Sequence, residues 1–140
     1  MRKSSLVLIE QLVMLLVFAL AATLCLQAFA ASSQISRQSA ARDQAVLQVQ
    51  NMAEALKACR GDYAAAASLL DGQWDGTQLI CRFDASWQLT SDDQSTYQIC
   101  ATPEQNDISL LGSAQIGAFS ADGSCLFSLS VAWQKEAADE

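Results

Sequence analysis

The chain of 140 residues contains no histidine and a single proline. The absence of histidine excludes the usual general base near neutral pH, histidine-based nucleophilic triads and histidine metal sites. Five cysteines are present, but no two of them have the Cys-x-x-Cys spacing of a zinc or redox motif. No other catalytic constellation is evident, so we expect neither an enzyme nor a bound cofactor.

Basic residues are scarce, with 8 Lys and Arg against 15 Asp and Glu, which gives a net charge of −7. Removal of the first basic residues, Arg2 and Lys3, would make the charge −9. Nucleic-acid binding depends on a basic surface. We therefore expect neither direct binding of nucleic acid nor adhesion to anionic lipid headgroups.

Charged residues are also absent from one long segment. The twenty residues from Leu12 to Ala31 include only Thr23 and Gln27 as polar side chains. This length suffices for a helix to cross the hydrocarbon core of a bilayer. Because Arg2 and Lys3 precede the segment, we expect a single-pass membrane protein with a cytoplasmic N-terminus and the remainder outside the cytoplasm.

Glu10 lies inside the apolar part of the chain, between the run from Leu6 to Ile9 and the long segment that follows. A carboxylate in a membrane segment is costly and indicates a functional site with a partner. Cleavage between Ser5 and Leu6 would create a positive amino terminus four residues before Glu10. The terminus of a neighbouring copy could then neutralise the Glu10 carboxylate.

These features resemble the N-terminal segment of type IV prepilins and of the pilin-like proteins of type II secretion and DNA-uptake machines. In that family a basic leader is cut before a hydrophobic residue, and Glu is the fifth residue of the mature chain. Leu8-Ile9-Glu10 matches the family's Leu-Ile-Glu. The chain departs from the pattern at Ser5, where Gly is usual, at Leu6, where Phe is commoner, and at Gln27, where a Pro is often found.

The resemblance implies a leader of residues 1–5 that a prepilin peptidase removes after Ser5, with methylation of the new terminus at Leu6. Residues 6–31 would form the transmembrane and assembly half of a helix, with Glu10 acting in filament assembly. The function implied is that of a minor pilin or pseudopilin. Its partners would be other pilin subunits and an inner-membrane assembly platform, and its final location a filament at the cell surface.

Two other interpretations remain open. Ala28-Phe29-Ala30 could be the cleavage site of a secretory signal peptide, although the apolar run is longer than such peptides normally have and Glu10 interrupts it. The segment could also be a plain single-span anchor, which leaves Glu10 unexplained. In either case the rest of the chain would be an extracytoplasmic binding or accessory domain that does not polymerise.

The helix is expected to continue beyond the membrane segment, because no Gly or Pro occurs between Ala31 and Arg60. Apolar residues recur there at intervals of three and four, which predicts one apolar stripe on a helix of about fifty residues, roughly 80 Å long. The members of this stripe are Ala45, Val49, Met52, Leu56 and Cys59, with Val46, Leu47 and Ala53 beside them.

Turn and cap residues predict where the next elements begin and end. Gly61 suits the left-handed residue after a helix, and Asp62 suits the N-cap of a short helix from Tyr63 to Leu70. A loop is predicted over 73–76, with Asp75-Gly76 as a turn. The acidic tail from Lys135 to Glu140 is expected to fray.

From Thr77 onward the apolar period changes from 3.6 to 2, which indicates strands. About four antiparallel strands are predicted, with the apolar face covered by the stripe of the long helix. The fold class is therefore α+β, with a pilin-like extracytoplasmic domain (32–140) that comprises the helix half 32–59 and a β-meander over 77–133. The predicted extended segments are Thr77–Phe83, Ser86–Thr90, Thr96–Thr102, Ile108–Phe119 and Cys125–Trp133.

Four cysteines lie outside the membrane segment. Cys59 on the helix stripe and Cys81 on the inward strand face could form a disulfide that closes a loop of about twenty residues, worth about 3 kcal/mol. Cys125 is predicted to face inward and Cys100 outward. Buried free thiols are the alternative.

Overall fold

The computed structural model describes residues 2–135, so Met1 of the predicted leader and most of the predicted frayed tail lie outside the described residues. The chain divides into two compact units, one up to Ala40 and one from Ala41 onward. The second is called the C-terminal unit below. The elements in chain order are α1 (Arg2–Ala58), α2 (Tyr63–Leu70), β1 (Gln73–Trp74), β2 (Leu79–Phe83), a 3₁₀ turn (Asp92–Gln94), β3 (Tyr97–Glu104), β4 (Leu111–Ser120) and β5 (Cys125–Gln134).

α1 is one continuous helix from Arg2 to Ala58, as the absence of Gly and Pro predicts. Its last four turns bury one face in the C-terminal unit, and this confirms the apolar stripe. Leu47, beside the stripe in the sequence pattern, is 52% exposed and lies off the buried face. The buried residues of α1 are Ala45, Val49, Met52, Ala53, Ala55 and Leu56.

The connection between the two helices has the predicted geometry. Gly61 has a positive φ of 84°, and its amide donates to the Leu56 carbonyl at 2.9 Å, which closes the end of α1. Oδ1 of Asp62 accepts hydrogen bonds of 3.1 Å from the amides of Ala64 and Ala65. Asp62 is therefore the N-cap of α2, as predicted.

The sheet has five antiparallel strands in the order β1-β2-β3-β4-β5, one more than predicted. The additional strand is β1, which the sequence placed in a loop. Oδ1 of Asp75 accepts from the Thr77 amide and hydroxyl at 2.7 Å each, which forms a tight turn with Gly76 at a φ of 94°. The turn reverses the chain, so Trp74 pairs with Leu79.

The prediction that Ser86–Thr90 is extended is wrong. Oδ1 of Asp84 accepts from the amides of Ser86 at 2.8 Å and Gln88 at 3.0 Å, which folds the chain into a turn. Trp87 adopts a positive φ of 60° within it, and Leu89 makes one isolated bridge to Phe83. The local hydrogen bonds that the Asp84 carboxylate accepts therefore outweigh the alternation of Trp87 and Leu89 in setting the backbone conformation.

β3 extends beyond its predicted end at Thr102 and includes Pro103. Proline has no amide to donate and is tolerated in a strand only where one edge has no partner. Leu79, the first residue of β2, pairs with Ala101, so β3 is unpaired on that side at Pro103. On the other side Pro103 pairs with Ala114 of β4.

The prediction that Cys125 faces inward is wrong. The register shifts between Ala118 and Phe119, so Cys125 lies opposite Phe119 and its side chain is exposed. Beyond this bulge the predicted alternation holds, since Val131 and Trp133 are buried.

The core lies between the buried face of α1, α2 and one face of the sheet. Among the larger side chains, Met52, Leu56, Leu79, Ile99 and Ile116 are essentially inaccessible. The fold class is α+β, one long N-terminal helix packed on an antiparallel sheet, as predicted and as in a pilin-like layout.

Candidate functional site

The residues that the sequence singled out at the N-terminus all lie within the first turns of α1. Ser5, Leu6 and Glu10 are exposed, with Leu6 at 64%. Among residues 2–135, the described ion pair joins Arg82 to Asp92, and no cation lies within pairing distance of Glu10. The Glu10 carboxylate is thus available to a charge from another molecule.

The apolar segment that follows Glu10 presents its side chains outward on every side of the helix. Phe18 is 73% exposed and Phe29 is 75% exposed, and no residue of the most apolar 18-residue window is buried. A helix that is apolar all round requires an apolar environment or partner helices. α1 is the one helix among the described residues that is long and apolar enough to cross a membrane.

The Thr23 hydroxyl, inside this apolar segment, forms its hydrogen bond within the helix. Oγ1 of Thr23 donates to the Ala19 carbonyl at 2.8 Å. This back-bond leaves no unpaired hydroxyl proton on the apolar surface, so Thr23 is compatible with lipid or with a packed helix bundle.

The cysteines of the C-terminal unit are differently placed. Cys81 is buried at 4% exposure and faces the core, as predicted, and Cys59 is half-buried against it. All five cysteines are free thiols, so the predicted Cys59–Cys81 bond is not formed in this structure. Burial raises the pKa of Cys81 to about 11, with smaller contributions from Cys100 and Asp71.

Cys100 lies on the outer face of the sheet, as the alternation of side chains along β3 predicts. Its side chain is nevertheless buried, with 9% exposed. Burial raises the pKa of its thiol, although a hydrogen bond of 2.9 Å from Nε2 of Gln98 acts in the opposite direction. A buried thiol of this kind is an unreactive apolar side chain rather than a nucleophile.

Among residues 2–135, no group of three or more Cys, Asp or Glu side chains is placed to hold a metal ion. The Arg82 guanidinium forms an ion pair with Asp92, with 2.9 Å between Nε and Oδ1, and Nη1 of Arg82 donates to Oε1 of Gln73 at 3.1 Å. These contacts tie the 3₁₀ turn to β2 and leave Asp92 with a structural role.

An open groove of about 530 Å³ in the C-terminal unit was not predicted. It runs between the last turns of α1, the end of α2 and the inner face of β2 and β3. We call it the acidic groove, because Glu54 and Asp71 line it and no Lys or Arg does so among the described residues. Its lining residues are Gln48, Asn51, Met52, Glu54, Ala55, Ala58, Leu69, Leu70, Asp71, Cys81, Phe83, Leu89 and Ile99.

The fold and the exposed segment together define a class of protein. The chain is an α+β protein whose N-terminal helix is apolar enough to enter a membrane and whose last turns form part of a core. Comparison of the chain with models of known families, with curated proteins and with solved structures finds no match.

Proposed function

We propose that this protein is a filament subunit of the pilin type, processed by a prepilin peptidase and assembled through α1. One observation carries the proposal: a single helix from Arg2 to Ala58 has an apolar, exposed first half and a second half that forms part of a core. One helix thus contains both the segment that could enter a bilayer or a polymer and part of a folded core.

The apolar half of α1 suits both environments of such a subunit. In the bilayer its side chains contact lipid, and in a filament they contact the same segment of neighbouring copies. Because both states bury the apolar surface, the free-energy difference between them is small compared with exposure to water. Transfer between them could then be driven by an assembly ATPase at the inner-membrane platform.

Glu10 would set the register between copies. Cleavage after Ser5 makes Leu6 the first residue, and its α-amino group becomes a positive charge on an apolar helix. An unpaired carboxylate in an apolar bundle is strongly unfavourable, whereas a carboxylate paired with an amine is tolerated. Neighbouring subunits would therefore pack with the Leu6 terminus of one copy against Glu10 of the next.

The resemblance to prepilins suggests which enzyme would process this protein and where the protein would be located. A prepilin peptidase would cut after Ser5 and methylate Leu6. The N-terminus would start in the cytoplasm and the C-terminal unit outside it, before assembly into a pilus, a type II secretion filament or a DNA-uptake filament. The atypical Ser5-Leu6 junction favours a minor pilin or pseudopilin.

Mass spectrometry of the mature N-terminus in the native host tests the proposal. A first residue of Leu6, unmodified or methylated, is expected for a pilin. A first residue of Ala31 or Ser32 would identify a secreted protein, and an intact Met1 would identify a plain membrane anchor. Either of the last two results would overturn the proposal.

A further inference from the structure

The acidic groove has a floor of buried apolar side chains that belong to three separate elements. Met52 of α1, Phe83 of β2 and Ile99 of β3 all line it, and their exposures are between 1% and 7%. A volume of about 530 Å³ falls within the range of about 300–1,000 Å³ typical of ligand sites. The groove can therefore accept several apolar side chains of a binding partner.

Two large apolar side chains lie at the edge of this groove rather than in the core. Leu69, near the end of α2, is 64% exposed, and Leu89, in the loop after β2, is 48% exposed. They lie on different connections of the fold and line the same groove. An extended occupant of the groove could contact both leucines.

The negative charge of the acidic groove favours a partner that carries a basic residue. The carboxylates of Glu54 and Asp71 line it without any basic residue among its described lining. Asp71 has a positive φ of 51° as the C-cap of α2, and its carboxylate is close enough to raise the pKa of the Cys81 thiol on the floor. A basic group of a partner could pair with one of these carboxylates, and Arg could bind it through two hydrogen bonds.

A second copy of this chain is a poor occupant, because each copy carries a net charge of −7 and would bring further carboxylates to the groove. We propose that the acidic groove binds a peptide segment of a different protein, one with apolar side chains that fill the floor and a Lys or Arg that pairs with Glu54 or Asp71. This proposal depends on the C-terminal unit alone. It goes beyond the proposed assembly role of α1.

The test is to pan the full-length protein in lipid nanodiscs against a phage library of random twelve-residue peptides, with empty nanodiscs as the counter-selection. The enriched peptides are expected to combine at least one Lys or Arg with two or more large apolar residues. They should bind at one peptide per chain, and more weakly at high salt, since the ion pairs are partly exposed.

Two variants localise the binding. Ala58→Trp places an indole in the groove from an exposed position at the end of α1, and at least a tenfold loss of affinity is expected. Ala64→Trp, at an exposed position of α2 outside the groove lining, is the matched control and should bind as the wild type does.

Removal of the two carboxylates that line the acidic groove tests the role of charge in peptide binding. Glu54→Gln combined with Asp71→Asn should lower the affinity for the basic peptides at least tenfold. Asn is well suited to the left-handed backbone at Asp71. Asp93→Asn combined with Asp107→Asn removes the same charge from exposed positions that do not line the groove, and should leave the affinity unchanged.

Three outcomes would overturn the proposal: no peptide enriched above empty nanodiscs, enriched peptides that Ala58→Trp does not affect, or enriched peptides without basic residues. A loss of self-association in Ala58→Trp, measured by sedimentation, would instead assign the groove to a second copy. None of these outcomes depends on cleavage at Ser5. A failure here is therefore distinguishable from a failure of the filament proposal.

Discussion

The indole of Trp133 lies directly against Gly61. A Cβ built on Gly61 would come 2.6 Å from Cε2 of that indole, a separation at which one of the two must move. Gly61 also has a positive φ of 84°, which L-residues with side chains rarely adopt. The glycine after α1 therefore serves both to end the helix and to admit Trp133 into the core.

Gly61→Ala should destabilise the C-terminal unit more than a turn glycine with the same backbone. The positive φ costs about 1 kcal/mol, and the contact with Trp133 adds about 1–3 kcal/mol of overpacking. Gly76→Ala is the control, since Gly76 has a φ of 94° and nothing within 4 Å of its built Cβ. Chemical unfolding in detergent, followed by tryptophan fluorescence, compares the two. Equal losses of stability would contradict the contact between Gly61 and Trp133.

Leu56→Ala should destabilise the C-terminal unit by about 2–5 kcal/mol, because it leaves a cavity where α1 meets the sheet. Leu47→Ala makes the same chemical change on the same helix at a side chain that is 52% exposed, and should alter stability by less than about 0.5 kcal/mol. The free energy of unfolding of both variants measures the difference. Similar values would mean that the last turns of α1 do not form the core.

Glu10→Ala should leave membrane insertion and leader cleavage intact but abolish entry into filaments, because the variant cannot pair with the terminus of a neighbour. Gln11→Ala, at the next exposed position of α1, is the control and should assemble normally. Cell fractionation, N-terminal mass spectrometry and sheared-filament analysis provide the three readouts. Normal filament entry of Glu10→Ala would remove the proposed role of this carboxylate.

Cys81 and Cys125 should differ strongly in reactivity. With the pKa of Cys81 raised to about 11, roughly one thiol in a thousand is ionised near pH 8, and the side chain is buried. Iodoacetamide should therefore modify exposed Cys125 first, and Cys81 only after unfolding in urea or as the pH approaches 11. Peptide mass spectrometry identifies the modified sites.

The same experiment tests the Cys59–Cys81 bond. A disulfide formed outside the cytoplasm would protect both residues even in urea until a reductant is added. Free thiols, as in this structure, would both become alkylated in urea without reduction. Rapid alkylation of Cys81 in the folded protein would contradict its burial.

The hairpin turn before β5 should make stability depend on acid pH. Hydrogen bonds from the Ser124 hydroxyl (2.7 Å) and amide (2.9 Å) lower the pKa of Asp122 below its ordinary value. The stability that this ionised carboxylate contributes is present above the ordinary pKa and is lost as the pH falls through the lowered one.

Ser124→Ala removes the hydroxyl donor and should reduce the difference in stability between about pH 6 and about pH 3. Ser128→Ala, at an exposed serine of β5, should keep the wild-type difference. Urea midpoints at the two pH values are the measurement. An unchanged pH dependence in Ser124→Ala would show that the hydroxyl does not stabilise the ionised turn.

Local signals in the sequence determined much of this protein. Continuity of α1 follows from the absence of Gly and Pro, the start of α2 follows from Asp62, and the buried face of α1 follows from a 3.6 period. The apolar segment that follows Glu10 can be predicted from the sequence, because a membrane segment is recognised by its composition and length alone. Each of these features depends on residues close to one another in the chain.

Tertiary structure decided what depends on pairing and packing between elements. β1 has only two residues, too few to show an alternation, so it is defined by its pairing with β2, and Cys125 is exposed because a bulge shifts its pairing with β4. The acidic groove combines α1, α2 and the sheet, so no local period could reveal it. Sequence patterns specify the side-chain direction within an element, whereas register, bulges and grooves arise only when the elements pack together.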